Sequence, residues 1–155
     1  AGGHSGVLKP GEVQRISAGT GIVHSEHNAS DTHPAHLLQI WILPDRKGHE
    51  PRYDQKPFPE NERRDALRLV ASPDGADGSM AIHQDARIYA SLLSAGKSVT
   101  LALGKGRGAW LQLVRGTVTV NGQSLEPGDG AAVENEPTVE IAATSDSEFL
   151  LFDLA

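Results

Sequence analysis

The sequence predicts an all-β protein of short antiparallel strands, a β-sandwich or jelly roll. Three observations carry that expectation. The 155 residues include 17 Gly and 9 Pro, with 38% hydrophobic and only 5% aromatic residues, a balance that suits tight turns and many strands better than long helices. Apolar side chains alternate with polar ones in short runs. Turn signals such as Ser72-Pro73-Asp74-Gly75 and Asn121-Gly122 separate these runs. The length suits one large β domain or one and a half small ones.

Along the chain, Lys9-Pro10-Gly11-Glu12 is a loop signal followed by the alternating stretch Val13-Gln14-Arg15-Ile16-Ser17. There Val13, Arg15 and Ser17 share one face, and Gln14 and Ile16 the other. Ala18-Gly19-Thr20-Gly21 supplies a bend, and residues 22–26 read as a short strand with polar side chains. Leu37-Leu38-Gln39-Ile40-Trp41-Ile42-Leu43 is the strongest buried-strand candidate of this half, ended by Pro44. Residues 51–60, with Pro51, Pro57 and Pro59, read as an irregular linker, with a helical turn around 61–66. The later strand candidates are 67–71, 86–93, 98–103, 109–114, 117–120, 130–134, 138–143 and 148–153. Asn121-Gly122 marks a hairpin turn. Leu8-Lys9-Pro10-Gly11-Glu12 is echoed by Leu125-Glu126-Pro127-Gly128-Asp129, which suggests a duplicated barrel.

Charge and composition exclude several functions. The formal net charge is -6, from 20 acidic and 14 basic residues with no basic block, so binding driven by phosphate neutralisation is not expected. Glu62-Arg63-Arg64-Asp65 alternates in sign and reads as a solvated face. No apolar run is long enough to span a membrane as a helix. The absence of cysteine excludes a disulfide framework or a Cys-based zinc site. It fits a reducing compartment, and a cytoplasmic location is the expectation. The opening Ala1-Gly2-Gly3-His4-Ser5-Gly6 looks like a hairpin tip without an initiating Met, so the natural N-terminus is expected upstream, and a targeting segment could have been lost with it. There is no Gly-x-Ser-x-Gly elbow, and Gly104-Lys105-Gly106-Arg107-Gly108 leads into a strand, so it reads as a β-turn and not a phosphate cradle.

The residues that could carry chemistry are histidines. Four of the seven, His24, His27, His33 and His36, fall within thirteen positions. On a strand, His24 and Glu26 project from one face with Cα atoms about 6.5 Å apart. One imidazole nitrogen and one carboxylate oxygen could then meet a single cation at about 2.1 Å each. Such a donor pair suits iron, manganese, cobalt, nickel, copper or zinc without choosing among them, and a catalytic site needs further ligands. Taken alone, a His-x-Glu is more often a solvated pair. His27 faces the other way, His33 reads as surface, and His36 as a local hydrogen-bonder. His49 and His83 read as loop residues without partners, and His4 lies at a ragged end.

The stretch Pro10-Gly11-Glu12-Val13-Gln14-Arg15-Ile16-Ser17-Ala18-Gly19-Thr20-Gly21-Ile22-Val23-His24-Ser25-Glu26 resembles the signature of the pirin family. Gln39-Ile40-Trp41-Ile42, Pro51-Arg52-Tyr53-Asp54-Gln55, Ser72-Pro73-Asp74-Gly75, His83-Gln84-Asp85 and Asp146-Ser147-Glu148-Phe149-Leu150-Leu151-Phe152-Asp153 match later landmarks in order. The resemblance implies two cupin β-barrels (double-stranded jelly rolls): the remainder of an N-terminal metal-binding barrel over 1–58 and a complete metal-free barrel over 59–155. It implies one divalent transition metal, with Fe(II) favoured, held by three His and one Glu. His24 and Glu26 are the third and fourth of these, and the first two belong to a His-Pro-His stretch expected before residue 1. It also implies quercetin 2,3-dioxygenase activity on a flavonol or similar small aromatic, with Glu26 as general base and as metal ligand. The alternative is a metal- or redox-sensing regulatory binding protein. Turnover by this chain alone is expected to be weak or nil, and its open sheet edges are expected to promote self-association.

Overall fold

A computed structural model describes residues 6–155. Its strands are β1 (Glu12–Ser17), β2 (Arg52–Pro57), β3 (Arg68–Ser72), β4 (Met80–Ala81), β5 (Ala86–Leu93), β6 (Ser98–Ala102), β7 (Gly108–Arg115), β8 (Val118–Val120), β9 (Gln123–Leu125), β10 (Gly130–Val133), β11 (Thr138–Ala143) and β12 (Ser147–Leu154). One short helix, α1 (Glu60–Arg63), joins β2 to β3. The ribbon β1-β2 stands apart from a six-stranded sheet, β10-β7-β12-β5-β3-β4, and a four-stranded sheet, β6-β11-β8-β9. The two larger sheets face one another as a cupin jelly roll.

The core between them follows from the period of two along each strand. Leu93, Leu111, Leu113, Phe149 and Leu151 come from the six-stranded sheet. Val118, Val120, Val139, Ile141 and Ala143 come from the four-stranded one. The continuous apolar run Phe149-Leu150-Leu151-Phe152 has a separate explanation. Phe149 and Leu151 enter this core, whereas Leu150 and Phe152 pack on the opposite face with Phe58, Val70, Met80 and Ile88. The six-stranded sheet is thus apolar on both faces, as a central layer must be. Val13 and Ile42 from the N-terminal third pack against that second face.

The two echoed turns have the same geometry. In the first, Glu12 N–H donates to the Lys9 carbonyl at 3.0 Å and the Glu12 carboxylate accepts from Lys9 N–H at 2.7 Å. In the second, Asp129 N–H donates to the Glu126 carbonyl at 3.0 Å and its carboxylate accepts from Glu126 N–H at 2.9 Å. Gly11 and Gly128 take φ of 82° and 93°, which the turn requires after Pro and which a side chain would oppose. At Asn121-Gly122 both φ values are positive, 47° and 83°, as a two-residue hairpin turn demands.

Several expectations are corrected. Residues 22–26 and 37–43 do not form strands, and Leu37, Trp41 and Leu43 are 55%, 88% and 83% exposed. Apolar composition states a preference for burial, but a strand exists only where another supplies hydrogen bonds, and no described residue pairs with these. The stretch read as a linker contains β2, which pairs in register with β1 from Glu12↔Pro57 to Ser17↔Arg52. Pro57 closes that strand and Pro51 precedes it, positions where a missing N–H is tolerated. The short β9 is a strand that Gln123-Ser124-Leu125, with little β-propensity of its own, does not announce; it forms by pairing with β8.

Candidate metal centre

His24 and Glu26 lie in an irregular, exposed segment after the Gly19–Gly21 bend. The same-face argument based on a strand therefore does not apply to them. What places Glu26 is a side chain from β1: the amide nitrogen of Gln14 donates to Glu26 Oε1. Gln14 sits directly opposite Gln55 of β2. Tyr53 Oη donates to Gln55 Oε1 at 2.8 Å and lies 3.4 Å from Gln14 Oε1. One face of the ribbon thus carries Glu12, Gln14, Tyr53 and Gln55 as a polar surface beside Glu26. On the other face Arg15 pairs with Asp54, its direct cross-strand neighbour, and this hydrogen bond holds the Asp54 carboxyl below the usual carboxylate range, with Arg52 assisting.

The remaining histidines are distributed differently from one another. His27 and His36 are exposed. His33 is exposed too and belongs to a local cluster with Asn28, Ser30 and Thr32, with Thr32 Oγ1 3.0 Å from its Nδ1. His4 lies outside the described residues. His49 and His83, expected to lack partners, stack with ring centroids 3.7 Å apart and planes 6° from parallel. His49 Nε2 is 2.6 Å from Asp45 Oδ1, and that contact lowers the Asp45 carboxyl below its ordinary range. Asp45 N–H donates to the His83 carbonyl at 2.7 Å, and Gln84 Nε2 donates to the Leu43 carbonyl at 2.8 Å. Asp85 accepts from Arg107 through both carboxylate oxygens at 3.0 Å. The His83-Gln84-Asp85 landmark is therefore a latch between residues 43–49 and the large sheets. A concavity of about 370 Å³ opens beside it, lined by Asp45, Pro73, Ile82, His83, Gln84 and Asp85. Sequence spacing could not reveal this contact, because residues from two loops build it.

The donor chemistry of His24 and Glu26 fits a borderline divalent cation. Among the described residues no group of three or more His, Cys, Asp or Glu converges on one point. No helix among the described residues is long and apolar enough to cross a membrane.

Comparison with known proteins agrees with this architecture. The quercetinase C-terminal cupin domain matches residues 69–154, and the pirin domain matches residues 1–42. The chain is 43% identical over 152 residues to a quercetin 2,3-dioxygenase of Escherichia coli K12, covering 98% of this chain and 64% of the relative. It is 39% identical over 155 residues to a pirin-like protein of Caulobacter vibrioides, covering 99% of this chain and 66% of that one. The solved structure of the bacterial pirin YhhW of Escherichia coli in complex with nickel(II) superposes with a TM-score of 0.86 at 45% identity, covering 93% of this chain and 61% of that one. The chain thus spans just under two thirds of the length of these relatives. With both halves matched in order and the jelly roll in place, the chain belongs to the pirin family of cupin proteins.

Proposed function

We propose that the chain is part of a metal-dependent dioxygenase acting on a flavonol such as quercetin, with His24 and Glu26 as two of the metal ligands. The observation that supports this most is the Glu26 carboxylate, held at one oxygen by Gln14, two residues from His24, in a chain of the pirin family. Residues 1–58 then belong to the metal-binding cupin barrel and residues 59–155 to a metal-free one. The relatives named quercetin 2,3-dioxygenase and the nickel(II) complex of YhhW support the substrate class and the need for a metal. Iron(II) is the metal we favour, in a cytoplasmic protein.

A bound divalent metal would supply Lewis acidity toward the substrate 3-oxygen. His24 contributes an imidazole nitrogen donor. Glu26 would offer the metal its second oxygen, which accepts no hydrogen bond among the described residues, and that oxygen, on release from the metal, would take the proton of the 3-hydroxyl as general base. With two donors in this chain, metal retention and turnover are expected to be weak. The test is metal content per chain, by mass spectrometry, in the 155-residue protein and its His24→Ala variant, followed by quercetin turnover. About one metal in the parent and none in the variant supports the site and means that ligands from elsewhere, such as a second chain, complete it; an empty parent refutes metal binding by this chain and leaves its family membership standing.

The exposed Leu37, Leu38, Ile40, Trp41 and Leu43 favour a second reading, a regulatory module that docks on a protein partner. Metal-dependent capture of a partner without flavonol turnover would select it.

A further inference from the structure

We infer that Gln14, packed beside Tyr53 and Gln55, is the positioning residue for Glu26, tying one carboxylate oxygen and leaving the other to face a cation. The inference rests on the metal-site reading above and adds residues to it.

The hydrogen bonds themselves set the direction of the chain. Gln55 Nε2 donates to the Val7 carbonyl at 2.9 Å and to Glu12 Oε2 at 2.8 Å. A carbonyl and a carboxylate can only accept, so the Gln55 amide nitrogen must face them and its oxygen must face Tyr53. The Tyr53 hydroxyl has one proton, which goes to Gln55 Oε1 at 2.8 Å, so its 3.4 Å approach to Gln14 Oε1 is a packing contact and not a second full hydrogen bond. The Glu26 carboxylate can only accept, and this fixes the Gln14 amide nitrogen toward it and the Gln14 oxygen toward Tyr53. A flipped Gln14 would set an amide oxygen against a carboxylate, two acceptors in contact.

The anchor of this chain is the Lys9–Glu12 turn, whose Glu12 carboxylate also accepts Lys9 N–H. The duplicated turn provides an internal comparison. It has the same backbone and side-chain hydrogen bonds, but two residues past its carboxylate stands Ala131, where the first copy has Gln14. No His-x-Glu follows it. The positioning amide is present in the copy that has the acid and absent from the copy that lacks it.

The experiment uses the 155-residue chain, with Gln14→Met, Tyr53→Phe, the double variant and Glu26→Ala. Side-chain amide spectra of ¹⁵N-labelled, metal-free protein should show Gln14 protons that move in Glu26→Ala and in Tyr53→Phe. Calorimetric titration with nickel(II) should show Gln14→Met weakening binding about 10- to 100-fold. The double variant should be no weaker than Gln14→Met, because Tyr53 acts through Gln14. Gln14 amide protons indifferent to Glu26→Ala, or losses that multiply in the double variant, would overturn the inference. A parent that takes up no nickel(II) counts against the metal-site reading, while the amide spectra still decide whether Gln14 holds Glu26.

Discussion

Arg107 is where a single substitution should be most informative about the large sheets. Its Nε donates to Asp153 Oδ1 at 2.5 Å, one Nη donates to the Asp153 carbonyl at 3.2 Å, and the other reaches both Asp85 oxygens at 3.0 Å. Both partners of the inner pair are covered: the Arg107 side chain is 16% exposed and that of Asp153 is 7% exposed. Arg107→Met keeps much of the packing volume but leaves the Asp153 carboxylate with Arg87 alone, 3.5 Å away and itself partly solvated. Stranding one member of a buried pair costs roughly 3–5 kcal/mol, and the surviving Arg87 contact argues for the lower end, about 3 kcal/mol. Urea unfolding is the assay. With a slope of about 2 kcal/mol/M, the midpoint should fall by about 1.5 M with the slope unchanged. Thermal unfolding should drop by about 6–12 °C. Arg107→Lys should fall between, since an ammonium cannot hold both aspartates in a fork. The double variant Arg107→Met, Asp153→Leu should recover much of the loss, because no charge is then left buried. A midpoint for Arg107→Met within about 0.25 M of the parent, equivalent to about 0.5 kcal/mol, would refute the reasoning and mean that water already solvates Asp153.

Two further expectations concern the N-terminal third. The Asp54 carboxyl is lowered by its hydrogen bond from Arg15, so its contribution to stability is present above the unfolded carboxyl value and is lost as pH falls through the folded one. The advantage of the parent over Asp54→Asn in urea unfolding should therefore be constant from about pH 5 to 7 and shrink below about pH 4. Because Asp54 is partly exposed, the advantage should not exceed about 1 kcal/mol; a gap that widens on acidification would contradict the ion pair. Trp41 and Leu43 are exposed on a segment that pairs with nothing described, so self-association through it is expected. Light scattering behind size-exclusion chromatography should find a dimer or larger species at high concentration, shifted toward monomer by Trp41→Ser with Leu43→Ser. A monomeric parent would end that proposal.

The period-two runs of β5, β7, β11 and β12, the Asn121-Gly122 turn and the paired Pro-Gly-acid turns were all legible from the sequence, because each is set by local chemistry: alternation, positive φ and proline geometry. The pairing of His24 and Glu26 rests on the family resemblance, because their spacing puts them on one face only in a strand over residues 22–26, which the fold does not contain. Pairing between distant residues, by contrast, is a property of the folded chain. Residues 52–57 became a strand because β1 lies beside them, and residues 37–43, far more apolar, did not because no described strand pairs with their backbone. The His49–His83 stack joins residues 34 positions apart, and the Gln14 contact to Glu26 crosses a glycine-rich bend. Such contacts leave no period or motif in a sequence, since neither residue is chosen by its own neighbours. They arise only when the chain has folded and each polar group has found the donor or acceptor left for it.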